Sequence, residues 1–208
     1  MKVNRIISTE TGDYSMYHLS SNIKTHQSAA LIYKALYELI QEKDYSTITV
    51  KELVERAGVA RATFYRLFDS TKDVLQYKCD TAFVELSKYI IEYRVKKNLS
   101  EPTNSTSLLK PLLHFWYLDS TIIEVIIKTN AFDILLNNLE TLFEELFYKL
   151  DDQVNTDFHK EYFVSIRTGI LFNVLIKWVK NEKNITPNQL ADILLKQFQE
   201  VKNLKLLN

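Results

Sequence analysis

Residues 47–68 read Thr-Ile-Thr-Val-Lys-Glu-Leu-Val-Glu-Arg-Ala-Gly-Val-Ala-Arg-Ala-Thr-Phe-Tyr-Arg-Leu-Phe, and their pattern decides the fold. Thr49 and Glu52 have the spacing of a capping box, in which each side chain satisfies a backbone donor of the other at a helix start. A helix over Val50–Ala57 then places Val50, Leu53 and Val54 on one buried side. Gly58, one of only three glycines, stands where that helix must end in the left-handed conformation. Val59 fills the angle, and a second helix covers about Arg61–Leu67. Phe64 and Phe68, four residues apart, share its inner face, which leaves Arg61, Ala62, Thr63, Tyr65 and Arg66 to the outside.

Upstream, Ile32, Ala35, Leu36, Leu39 and Ile40 recur at helical spacing within about Thr25–Lys43, and Asp44 follows where a left-handed capping residue is wanted. Residues 1–24 are polar and aperiodic, so a flexible segment is expected there, with Met16 as an alternative start of the chain. Downstream, Ser70 and Asp73 form a second box that opens a helix sustained by apolar positions to about Lys97. Asn98–Ser107 is polar and contains Pro102, which makes it a connection. Further helices are expected over about Leu108–Tyr117, with Pro111 near its first turn, then Thr121–Lys128, Ala131–Leu150 and Phe158–Asn181. Thr186 and Gln189 make a third box, with Pro187 at the first helical position, for a last helix to about Asn203. No stretch alternates for long with period two. The class is therefore all-α with about nine helices, divided into residues 1–24, a helix-turn-helix domain at 25–69 and a helical domain at 70–208.

Apolar residues make up 46% of the 208 positions and charged residues 25%, as in a chain with a packed core. The 26 basic and 26 acidic residues cancel, so bulk charge gives no attraction to nucleic acid. A small basic head on a neutral body remains compatible, and between Ala60 and Phe68 the charges are Arg61 and Arg66 with no acid. No continuous apolar run reaches the ~18 residues of a membrane span, and no signal-peptide pattern opens the chain. The lone Cys79 has no internal disulfide partner, which fits a reducing, cytoplasmic setting. There is no nucleophile–base–orienter set, glycine-rich phosphate loop or metal-ligand cluster to suggest an enzyme, a cofactor or a metal.

The outward residues of 61–66 have a chemistry of their own. The major groove of B-form DNA admits one α-helix, and a helix-turn-helix presents its second helix by the N-terminal end. Arg61 at that end suits a fork to guanine O6 and N7, worth about 1–3 kcal/mol of discrimination. Ala62 offers a methyl to thymine, Thr63 and Tyr65 offer hydroxyls to phosphate, and Arg66 adds charge. Thr49 offers its hydroxyl and nearby amides to another phosphate. The same spacing also fits an ordinary helical hairpin with solvated arginines, so spacing alone leaves DNA binding open.

The string Val50-x-x-Leu-Val-x-x-Ala-Gly-Val-x-Arg-x-Thr-Phe-Tyr-Arg-x-Phe68, after a helix ending Glu42-Lys43-Asp44-Tyr45, closely resembles the TetR/AcrR family of transcriptional regulators over about residues 25–75. The resemblance implies a homodimeric repressor whose three N-terminal helices bind a double-stranded operator. Its C-terminal helices would bind a small effector that releases the DNA, with the fourth helix linking the halves. Three positions depart from the family's usual residues. Ala60 replaces a capping Ser, a loss of roughly 1 kcal/mol. Asp44 replaces Gly. Thr71 replaces a phosphate-facing Lys, and Lys72 is displaced by one, so Thr71 and Lys72 are the expected phosphate contacts there.

The second half is rich in rings. Tyr89, Tyr93, His114, Phe115 and Phe147, with Asn173 as a polar group, are candidates for a pocket that takes a small apolar or aromatic effector, although such rings equally suit a plain core. A regulator of the same shape that answers to a protein partner is the alternative. Gly169 lies mid-helix, where it costs about 1 kcal/mol relative to Ala, so close approach of another helix is expected. Ile166, Gly169 and Ile170, with Leu190, Leu194 and Phe198 of the last helix, are candidates for a two-fold four-helix interface, intrachain packing being the other explanation.

Overall fold

The computed structural model describes residues 17–18, 23–96, 105–150 and 157–203. Among them nine α-helices follow one another: α1 Ile23–Glu42, α2 Val50–Ala57, α3 Arg61–Leu67, α4 Thr71–Lys96, α5 Ser105–Leu118, α6 Thr121–Thr129, α7 Phe132–Leu150, α8 Asp157–Lys180 and α9 Pro187–Asn203. The chain is all-α. Its β-type pairing among the described residues is one isolated antiparallel bridge, Tyr17 with Phe68. Two compact units divide the chain, one formed by residues up to Val84 with Val125–Leu135, the other by Glu85–Glu124 with the residues from Leu136 onward. The division falls within α4 rather than at its start, because Val74, Leu75, Cys79, Ala82 and Phe83 are all buried on the head's side of it.

In the first unit α1 packs on α2 and α3, and α2 packs on α3. The capping box at Thr49 forms as the spacing requires: Glu52 N–H reaches Thr49 Oγ1 at 3.3 Å and Thr49 N–H reaches Glu52 Oε2 at 3.0 Å. Gly58 closes α2 at φ 66°, its N–H turned back to the carbonyls of Glu55 and Val54. Phe64, Leu67 and Phe68 are buried, each large ring contributing about 1.5–3 kcal/mol of apolar burial. Arg56 on α2 forks onto Glu42 at the end of α1, at 2.7 and 2.8 Å, which locks those two helices in register.

Two expectations are corrected. Asp44 is not left-handed: it sits at φ −62°, ψ 133° and caps a single 3-10 turn, Tyr45–Thr47, by accepting from Ser46 N–H. The chain leaves α1 in extended form, so a short side chain that caps replaces a glycine that bends. Pro111 lies well inside α5, since that helix starts at Ser105 rather than near Leu108. Most of the N-terminal stretch expected to lack order, residues 1–16 and 19–22, lies outside the described residues; of the rest, His18 N–H donates to Leu67 O at 2.9 Å.

In the second unit α5 packs against α9. The third box opens α9 as read, with Gln189 N–H to Thr186 Oγ1 at 3.3 Å and Thr186 N–H to Gln189 Oε1 at 2.9 Å. The turn before it carries Glu182 and Lys183 at positive φ. Lys183 Nζ offsets that strain by donating to Tyr117 O at 3.1 Å and Ser120 Oγ at 2.8 Å. In α8, Val164, Thr168, Leu171, Leu175 and Trp178 make a buried stripe, while Tyr162, Ile166 and Asn173 face outward. By length and composition Lys160–Lys180 is apolar enough to cross a membrane, although only 33% of it is buried. No continuous run announced this, because Arg167 and Lys177 interrupt it.

Candidate nucleic-acid interface

The inner face of α3 is filled by Phe64 and Leu67, so the remaining positions form one outward arc. Arg61, Ala62, Tyr65 and Arg66 are exposed on it and Thr63 is half-buried at its edge. Tyr65, 45% exposed, is a large ring on the surface of a well-packed unit, which is the informative direction of departure from burial rules. The Arg61 guanidinium lies 5.4 Å from the centre of that ring, with Nη2 donating to the Tyr65 hydroxyl at 3.4 Å. Tyr65 in turn meets Phe64 edge-on at 5.4 Å. A buried ring thus steadies an exposed ring, and the exposed ring steadies the arginine. Neither Arg61 nor Arg66 has a carboxylate partner among the described residues, whereas Arg56 and Lys43 are both paired. Arg61 and Arg66 are thus two exposed cations of α3 without an ion pair among those residues. At its N-terminus Ala60 makes no side-chain cap, as its identity requires.

The flanking residues are placed differently from their sequence reading. Thr49 is exposed, but its hydroxyl donates to Glu52 Oε2 at 2.8 Å and its N–H goes to the same oxygen, so both of its donors are engaged. Glu52 is held down at about 2 by a hydrogen bond from Lys43, then by those from the Thr49 backbone and hydroxyl. The Thr71 and Tyr45 hydroxyls lie 3.2 Å apart, and burial raises the Tyr45 phenol above its ordinary value. Lys72 is exposed but forms an ion pair with Asp133 at 2.6 Å. Sequence reasoning missed both pairings, which join positions 26 and 61 residues apart. Asp73 is fully buried at the start of α4, where it accepts from Asp69 N–H, Ser70 N–H and Ser70 Oγ at 2.9, 2.8 and 3.0 Å. Three donors and the helix's positive end offset the burial of that carboxyl group.

Residues 32–77 match the family model for bacterial regulatory proteins of the tetR family, and residues 103–200 match that for a transcriptional regulator C-terminal region. The chain belongs to the TetR family. It is a DNA-binding transcriptional regulator. No curated protein matches it in sequence. Among solved structures it is similar to Lin0861 from Listeria innocua, at 15% identity over 90% of this chain and 97% of that one, with a TM-score of 0.63. It is also similar to a TetR transcriptional regulator from Streptococcus agalactiae, at 21% identity over 84% and 94% with a TM-score of 0.56. The fatty acid degradation regulator FadR from Bacillus halodurans follows at 20% identity over 84% and 93% with a TM-score of 0.51. At these identities the likeness carries the fold.

In the second unit, part of the expected effector set comes together. The Tyr89 hydroxyl shares a hydrogen bond with His114 Nδ1 at 2.7 Å, and the two rings stack within 7°. Phe115 and Tyr93 lie 5.7 and 6.4 Å from Tyr89. His114 is exposed, so this cluster reaches the surface of its unit. Asn173 is not part of it: that side chain is exposed on α8 and turns back to donate to Gly169 O at 2.7 Å. Of the expected dimer residues, Ile166 is 56% exposed, and Gly169, Ile170 and Leu194 are half-buried. Leu190 is buried within the chain, at 8% exposure. The side chains of Phe147 and Phe198 lie outside the described residues.

Proposed function

We propose that this TetR-family regulator is a homodimeric repressor that leaves its operator when a small apolar or aromatic molecule occupies the second unit. The observation that carries the dimer is α8, an apolar helix with only 33% of its membrane-length segment buried. A DNA-binding regulator needs that surface covered by protein, and a second copy covers it symmetrically through Tyr162, Ile166, Ile170 and the gap at Gly169. Two heads related by a two-fold axis read half-sites one helical turn apart, or a multiple of it. The cytoplasm, where the operator lies, is its place of action.

The Tyr89–His114 pair supports effector control. It offers a stacking face and a hydrogen-bonding edge on α4 and α5, and α4 also carries the start of the head's junction at Thr71. Ligand and operator then favour different settings of α4, which makes each weaken the other. Exposure of His114, with Ile91 and Val95 also exposed on α4, favours control by a protein partner as the second reading. Selection of bound DNA from a random pool, repeated with candidate ligands, tests the first. An operator affinity that no ligand changes, together with loss of DNA on addition of a cell fraction containing protein, would transfer the case to the second.

A further inference from the structure

We propose that Tyr17 is a positioning residue for operator binding, clipping the carboxyl end of α3 to α4. Tyr17 lies outside the matched family region, which begins at residue 32. It forms the antiparallel bridge with Phe68. Its ring tilts against Phe68 at 6.5 Å and meets Tyr77 edge-on at 5.6 Å, while Phe68 and Tyr77 lie 5.9 Å apart, so the three rings close on one another. Its hydroxyl donates to Asp80 Oδ2 at 2.8 Å, and Gln76 holds the other oxygen of that carboxylate at 2.6 Å. Burial, then the charge of Asp80, pushes the phenol far up and keeps it a donor.

The need for such a clip follows from α3 itself. It has seven residues and no side-chain cap at Ala60. A helix that short has little stability of its own, and its end carbonyls need partners. His18 N–H supplies one to Leu67 O at 2.9 Å. Phe68 leaves the helix in extended form at φ −142°, ψ 139°, and Tyr17 pins it there. Arg61, Tyr65 and Arg66 ride on this helix, so the clip sets the angle at which they meet a groove without touching DNA itself.

The test uses the full chain and an operator selected with the unaltered protein, so it stands apart from whether an effector exists. Affinity is measured by fluorescence anisotropy well below each variant's unfolding midpoint. Tyr17→Ala is expected to weaken binding about tenfold, the size of one lost base contact, with circular dichroism and the salt slope unchanged. Tyr17→Phe keeps the rings and is expected to recover most of that loss. Tyr17→Ala protein that unfolds earlier but binds normally while folded would overturn the proposal. So would a shallower salt slope, because that assigns Tyr17 a phosphate contact of its own.

Discussion

Arg61 and Arg66 are both exposed cations of one short helix, but their settings differ. Arg61 is oriented by the Tyr65 ring and hydroxyl, and an oriented fork is what base recognition requires. Arg66 is exposed without such a support, which suits a phosphate. Arg61→Ala is therefore expected to flatten preference at one base pair by about 1–3 kcal/mol, and Arg66→Ala to weaken all sequences alike while lowering the salt slope by about one. Anisotropy against a set of single-base operator variants at two salt concentrations checks this, and equal losses on every variant for Arg61→Ala would refute its base-reading role. Their outward placement was legible in the sequence because Phe64 and Phe68, four apart, fix the helix's inside and so its outside. The pairs Tyr45–Thr71 and Lys72–Asp133 were not legible, since no local period links partners that far apart.

Capping residues made the elements legible, and they also make them adjustable. The boxes at Thr49, Ser70 and Thr186 all formed, and the start of each following helix was read correctly. The start of α5, which has no box, was misplaced by a few residues, because a Pro nearly two turns inside a helix looks from sequence like a Pro near its beginning. Ala60 has the extended backbone of a cap, φ −68°, ψ 144°, but no side-chain hydrogen bond. Ala60→Ser is expected to stabilise the head by about 1 kcal/mol, read as a higher midpoint in urea with unchanged slope. Glu52 gives the pH counterpart. Its folded value of about 2 lies below the ordinary 4.5, so its contribution is complete above about 4.5 and is lost as pH falls toward 2. Glu52→Gln preserves the box but not the charge. The gap between its thermal midpoint and that of the unaltered protein is expected to close over that interval, and parallel curves from pH 5 to 2 would assign acid sensitivity to other carboxylates.

At the scale of the whole molecule, the sequence conveyed a reading head and a helical body but not where the units divide, because α4 buries apolar residues from Val74 to Ile90, across the division, and offers no break there. Gly169 is where the pattern asks for something beyond one chain. A methyl group added there meets no atom of the described residues within 4 Å, so none of them requires glycine there, while a helix interior loses about 1 kcal/mol by having it. Its neighbours on the same face, Ile166 and Ile170, are large and apolar, which leaves a notch between two ridges. The dimer proposed above would account for both the glycine and the exposed apolar positions of this face. Gly169→Leu fills the notch, and we expect it to weaken self-association at least tenfold in sedimentation equilibrium, about 1.4 kcal/mol, while the helical signal is kept. Under the proposed dimer, operator affinity is expected to fall with it, since a single head then holds only one half-site. If Gly169→Leu associates and binds as the unaltered protein does, the two-fold seam does not run along this face of α8, and the exposed surface of that helix answers to a different partner.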